Sequence, residues 1–203
     1  MSEVEQALAQ IADIRAQLAA STRFRGYAPE AVGTVGAMSL AALLLELLWP
    51  ESFAASDRQL VMTWGLLLAA GCLAIAVEAI VRTLREDDRM ASPMLLGALR
   101  VIFPGCVIVL VVPFVVLAYA PQVAWIVPGI WQMLIGFVAF ASWSSMPRRI
   151  VWPAAWYLVS GAAGLILAGR LGGLTPLMVG VPFVVGHCAI AWVLMEKERA
   201  FNG

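Results

Sequence analysis

Apolar residues run along this chain in long blocks separated by short polar breaks, and block length sets the class of element. A helix that crosses the hydrocarbon core of a bilayer needs about 20 apolar residues. Six stretches meet that requirement: 31–49, 61–81, 99–119, 123–143, 151–169 and 175–195. Only Ala120, Pro121 and Gln122 part the third block from the fourth. Read as one helix, 99–143 would far exceed a bilayer, so the Ala-Pro-Gln step is expected to be a tight turn. Residues 2–20 follow another pattern. Val4, Ile11 and Leu18 recur every seven positions with Ala7 and Ile14 between them, the a/d spacing of an amphipathic helix. The expected fold is all-α, a polytopic transmembrane bundle of six spans over 29–203. A cytoplasmic amphipathic helix and an interfacial bend over 1–28 precede it.

Composition strengthens this reading. The 203 residues are 62% hydrophobic and 13% charged, with a mean hydropathy of +0.89. A soluble domain has about 45–50% apolar and about 25% charged residues. Net charge is zero, which argues against nucleic acid as a partner. With the N-terminus inside, every Lys and Arg except Arg58 and Arg170 falls on the cytoplasmic side, so the positive-inside rule predicts both termini in the cytoplasm. Lys197 is the single lysine among many arginines, a bias that points to a GC-rich bacterial genome and hence to the bacterial inner membrane. The first thirty residues carry charges throughout and lack the apolar core of a secretory signal. Trp49, Trp64 and Trp125 are expected at the outer boundary and Trp143, Trp152 and Trp192 at the inner one, as interfacial anchors. Trp131 and Trp156 fall deeper, where packing between helices is expected.

The N-terminal helix carries Glu3, Glu5 and Asp13 against Arg15 on its polar face. Helices that lie on anionic lipid carry basic polar faces, so this one is expected to pack on its own bundle or to pair with another chain. That chain would be a second copy or a protein partner. After it comes S-T-R-F-R-G-Y-A-P-E at 21–30, where arginine alternates with aromatics. Arg23 and Arg25 suit lipid headgroup phosphates or plain anchoring, Gly26 can end a helix, and Pro29 can begin the next. Together with P-G-I-W-Q at 128–132 and P-R-R-I at 147–150, this stretch resembles small bacterial multi-pass membrane proteins of uncharacterised activity. The resemblance implies the membrane fold and brings no site residue.

Ionisable groups inside spans are functional candidates by default. Glu46 falls in the outer half of the first span, near enough to its boundary to reach the interface. Glu78 falls in the inner half of the second, with Arg82 and Arg100 as candidate ion-pair partners. A structural ion pair and a proton-carrying carboxylate both fit it. His187 is the only histidine and lies just past the middle of the sixth span, at a depth similar to Gln132 in the fourth. Glu78, Gln132 and His187 therefore form the candidate intramembrane polar site. The histidine suits a hydrogen bond to Gln132, to Glu78 or to a freed carbonyl.

Metal, haem and enzymatic chemistry find little support. A metal or haem at His187 would lack a second histidine, and adjacent His187 and Cys188 diverge by about 100° on a helix. No metal and no cofactor are expected. Cys72, Cys106 and Cys188 lie in apolar segments and make no disulfide framework. No nucleophile elbow, zinc-protease or phosphate-loop motif is present, so no catalytic residue is assigned.

The pentapeptide V-P-F-V-V occurs at 112–116 and again at 181–185. An inverted repeat would set the two prolines on opposite sides of the midplane. Pro113 falls after the middle of its span and Pro182 before the middle of its own, so both belong to the outer half and no inverted repeat is read. Each proline still frees a carbonyl one turn back, which needs another partner. For Pro182 that carbonyl belongs to Met178. Gly33, Ala37 and Ala41 are expected to form one close-packing face, and Ser160 with Gly164 another, within the bundle or between chains. Two functions follow: a non-enzymatic subunit, regulator or assembly partner acting through residues 2–20, or a small transporter or channel using Glu78, Gln132 and His187.

Overall fold

The computed structural model describes residues 29–85, 91–143 and 146–202, and the side chains of 82–99, 101–102 and 197–203 lie outside the description. The N-terminal helix expected over 2–20, the bend with Arg23 and Arg25, and the side chain of Arg82 are therefore outside the described residues. What is described is helical throughout. Helix α1 is Pro29–Leu48, the short α2 is Pro50–Phe53, α3 is Asp57–Arg85 and α4 is Ala91–Tyr119. A 3-10 turn at Pro121–Ile126 leads into α5, Val127–Ala141. A second at Arg148–Ile150 leads into α6, Val151–Leu171, and α7 is Pro176–Asn202. Five of these stretches are long and apolar enough to cross a membrane, and Phe103–Tyr119 is a shorter apolar helix.

Proline and glycine punctuate the helices. Pro29, Pro50, Pro121 and Pro176 each open an element, where the missing N–H costs nothing and the fixed φ suits the first turn. At the close of α6, Gly172 adopts φ 75° and donates its N–H to Ala168 O at 2.9 Å. A side chain there would be strained by the left-handed backbone.

The two ends of the bundle are tied by different chemistry. Asp57 Oδ1 at the start of α3 accepts the N–H of Leu174, just before α7, at 2.9 Å. These two helices thus begin side by side and run in the same direction. Nearby, Gln59 accepts the N–H of Ala55 at 3.0 Å and donates to Ser52 O, pinning the α2 segment across this end. At the opposite end Arg149 and Glu196 form an exposed ion pair of 2.6 Å, joining the start of α6 to α7.

Helix α1 packs chiefly on α7, and α5 on α6. The buried stripe of α1 is Val32, Val35, Gly36, Ser39, Leu43 and Glu46, the spacing of one helical face. Gly36 is the close approach: a Cβ there would lie 3.3 Å from Cys188 Sγ and 3.4 Å from His187 Cβ. Within the chain the Gly33–Ala37–Ala41 face is not the packed one, since Ala37 and Ala41 are exposed. Between α5 and α6 the backbones touch through Gly129, Gly136 and Gly161; a Cβ on Gly136 would stand 2.8 Å from Ala154 O. Within the chain the close approach on α6 is at Gly161 rather than at Gly164. Small residues allow such approaches, but a helix facing lipid on one side is apolar all round, so size alone does not reveal the packed face.

The core gathers toward the Asp57 end. Trp64 is fully buried rather than an interfacial anchor, and its ring stacks on Phe183 at 5.2 Å. Trp131 is equally buried, and a Cβ on Gly65 would meet its ring at 3.3 Å. Trp156, expected between helices, is 37% exposed.

Candidate functional site

Trp131 and Gln132 are neighbours in sequence, and adjacent helical positions diverge by about 100°. From the first half of α5 they therefore reach different helices. Trp131 Nε1 donates to Val109 O on α4 at 3.0 Å. Gln132 Nε2 donates to Met178 O on α7 at 3.1 Å. Both carbonyls sit four residues before a proline inside a helix, Pro113 in α4 and Pro182 in α7. Each proline lacks the N–H that would otherwise take that carbonyl. The duplicated pentapeptide thus creates two bare carbonyls, and one dipeptide of α5 serves both.

Helix α7 draws two further donors onto its backbone just beyond the proline. Trp156 Nε1 donates to Pro182 O at 3.1 Å. Tyr157 Oη lies 3.4 Å from Phe183 O and 2.8 Å from His187 Nδ1, and that nitrogen is 2.9 Å from Phe183 O. The three atoms form a closed triangle between α6 and α7. Gly186 admits it: a Cβ at that position would collide with the Tyr157 ring. The His187 ring stacks on Phe183 and meets Tyr157 edge-on, with centroids 6.0 and 5.9 Å away.

Not every buried polar atom is partnered. Gln132 Oε1, both carboxyl oxygens of Glu46, and Trp64 Nε1 make no hydrogen bond. Gln132 Oε1 looks toward Gly164, where a Cβ would be 4.0 Å away. Glu46 is wholly enclosed, with the Trp64 indole next to it but no hydrogen bond of normal geometry between them. This corrects the expectation that Glu46 reaches the interface. It lies on the buried stripe of α1, two turns beyond Ser39, and points into the bundle. Shared helical phase with Gly36 and Ser39 was the signal for it.

The three residues of the expected polar site do not come together. Gln132 and His187 both address α7, but their carbonyls, Met178 and Phe183, are five residues or about 7.5 Å apart along the axis. Glu78 follows Trp64 by fourteen residues, about 21 Å, whereas His187 follows Phe183 by four, about 6 Å. Because Trp64 and Phe183 are level and α3 and α7 run together, Glu78 sits well toward the Arg149 end. Arg100 is exposed. Among the described residues no group of three His, Cys, Asp or Glu side chains is placed to hold a metal ion. Cys72 of α3 and Cys106 of α4 are near enough for their thiols to interact, a pairing that apolar context alone did not announce.

No family model, curated protein or solved structure matches this chain.

Proposed function

We propose that this chain is a small membrane carrier for a monovalent cation, the proton included, with Glu46 as its binding group. One observation carries the reading: a carboxyl group enclosed in an apolar bundle with neither oxygen hydrogen-bonded. An unpaired carboxylate is prohibitively costly in such surroundings, so the group must hold a proton or a cation at rest. Taking up and releasing that charge is the elementary step of a carrier. The proline-bearing α7, on which α1 packs, fits the helix breaks found where transporters bind ions. A single carboxylate suits a single positive charge.

In this reading α4 counts as a sixth span and both termini face the cytoplasm of a bacterial inner membrane. The arginine and lysine distribution supports that orientation, with Arg58 and Arg170 on the far side. The Asp57 end then faces outward and Glu46 lies just beneath the α2 segment. The test is ion flux in proteoliposomes under an imposed proton, sodium or potassium gradient. Wild-type protein is expected to collapse one of these gradients, and Glu46→Gln, which keeps shape and removes the charge, to slow that flux by on the order of tenfold or more. Equal rates in the two proteins would remove Glu46 from the function.

A second reading is association through residues 2–20, supported by the Val4, Ile11 and Leu18 heptad. Deleting 2–20 is then expected to change the oligomeric state or the partners retained in mild detergent, and unchanged behaviour counts against it.

A further inference from the structure

His187 is fastened by one ring nitrogen only. Its Nδ1 lies 2.9 Å from Phe183 O and 2.8 Å from Tyr157 Oη. A carbonyl oxygen accepts hydrogen bonds and never donates them. The contact with Phe183 therefore requires a hydrogen on Nδ1, because a bare nitrogen would set lone pair against lone pair. Tyr157 fits the same arrangement. Its oxygen can share the Nδ1 hydrogen, and its own hydroxyl hydrogen can go to Phe183 O at 3.4 Å. The reverse arrangement, Tyr157 donating to a bare Nδ1, satisfies one side of the triangle and makes another repulsive.

With Nδ1 committed, the second nitrogen is set apart. Nε2 makes no hydrogen bond among the described residues, and His187 as a whole is buried. A histidine whose Nδ1–H is fixed by a carbonyl presents Nε2 as a base, since the bond at one nitrogen selects the role of the other. The ring is also immobilised: Phe183 stacks on it, Tyr157 meets it edge-on, and Gly36 of α1 abuts its Cβ.

We infer that His187 is a proton-binding site within the bundle, resting as the Nδ1–H tautomer and taking up its proton at Nε2. The titratable groups around it are Tyr157 from α6 and Cys188 on α7 itself; α1 contributes Gly36 at this level. Among the described residues it makes no ion pair. Protonation therefore creates a charge held only by the carbonyl and hydroxyl oxygens of the triangle, which favours ready release. This site is separate from Glu46 and does not depend on the carrier reading.

Because the chain has one histidine, labelling histidine with nitrogen-15 marks this ring alone. The full-length protein in lipid nanodiscs is to be followed by NMR from about pH 9 down to about pH 4, a range spanning ordinary histidine titration. At the alkaline end Nδ1 is expected at the protonated, pyrrole-type position and Nε2 at the bare, pyridine-type position, with Nε2 moving to the pyrrole-type position on acidification. Tyr157→Phe is expected to keep the Nδ1–H tautomer, because Phe183 O remains to hold it. An Nε2–H tautomer at high pH, in either protein, overturns the assignment. An Nε2 signal that stays bare across the whole range overturns the proton site.

Discussion

Gln132 of α5 donates to the carbonyl of Met178 in α7, and Met178 is the residue whose carbonyl Pro182 leaves without a helical partner. Gln132→Leu therefore strips a buried acceptor of its donor. The expected loss is about 0.6 kcal/mol, the average for side-chain hydrogen bonds inside membranes, and at most about 1.7 kcal/mol. Pro182→Ala restores an N–H to the helix, so in that background Gln132→Leu should cost clearly less. Equilibrium unfolding of the four proteins in mixed detergent closes the cycle, and strict additivity would refute the pairing.

The same logic applies to Trp131 and Val109 across α5 and α4. Trp131→Phe keeps an aromatic ring and removes the N–H, for an expected loss of about 0.6–1.7 kcal/mol plus that of the missing ring volume. Pro113→Ala should recover the hydrogen-bond part and leave the volume part. Thermal unfolding of both backgrounds separates the two contributions.

Gly186 and Gly164 make opposite forecasts for the same substitution. At Gly186 a Cβ would press into the Tyr157 ring, whereas at Gly164 it would meet Gln132 Oε1 only at 4.0 Å. Gly186→Ala is expected to cost about 1–3 kcal/mol by overpacking, with Gly164→Ala close to neutral. Similar melting temperatures for the two variants would place Tyr157 elsewhere.

Arg149 and Glu196 approach to 2.6 Å, yet their side chains are 70% and 40% exposed. Such a pair is screened by solvent and is expected to contribute less than about 1 kcal/mol. Arg149→Ala should leave the melting temperature nearly unchanged at any salt concentration.

Cys72 and Cys106 offer a test of helix placement with no engineering. A short bifunctional thiol reagent is expected to join α3 to α4 through this pair, while Cys188, on α7 against Gly36, remains singly labelled. Peptide mapping that finds Cys188 in the cross-link would contradict the packing.

Helix existence was legible because bilayer thickness imposes a length, and breaks at Ala120–Gln122 and Gly172–Leu174 stand out against long apolar runs. Proline chemistry also located a bare carbonyl at Met178, though not the side chain that takes it. Rotation about each helix axis was harder to read. Trp64 and Glu46 were placed at the interface by depth, yet both turn inward. In a soluble helix the polar face marks the outside, but lipid accepts Leu40 and Leu44 as readily as the core accepts Leu43. Only the shared phase of Gly36, Ser39 and Glu46 marked the packed side of α1. The distance from Glu78 to His187 was hidden for another reason: depth along the membrane says little until two helices are known to start level, as Asp57 and Leu174 make α3 and α7 do.

The hydrogen bonds from Trp131 and Gln132 also have a mechanical meaning. Two helices weakened by proline would ordinarily bend independently at their kinks. Here the carbonyls that the two prolines free are fastened to consecutive residues of a third helix, so α5 lies as a crossbar between them. A turn of α5 about its axis would therefore strain both fastenings at once.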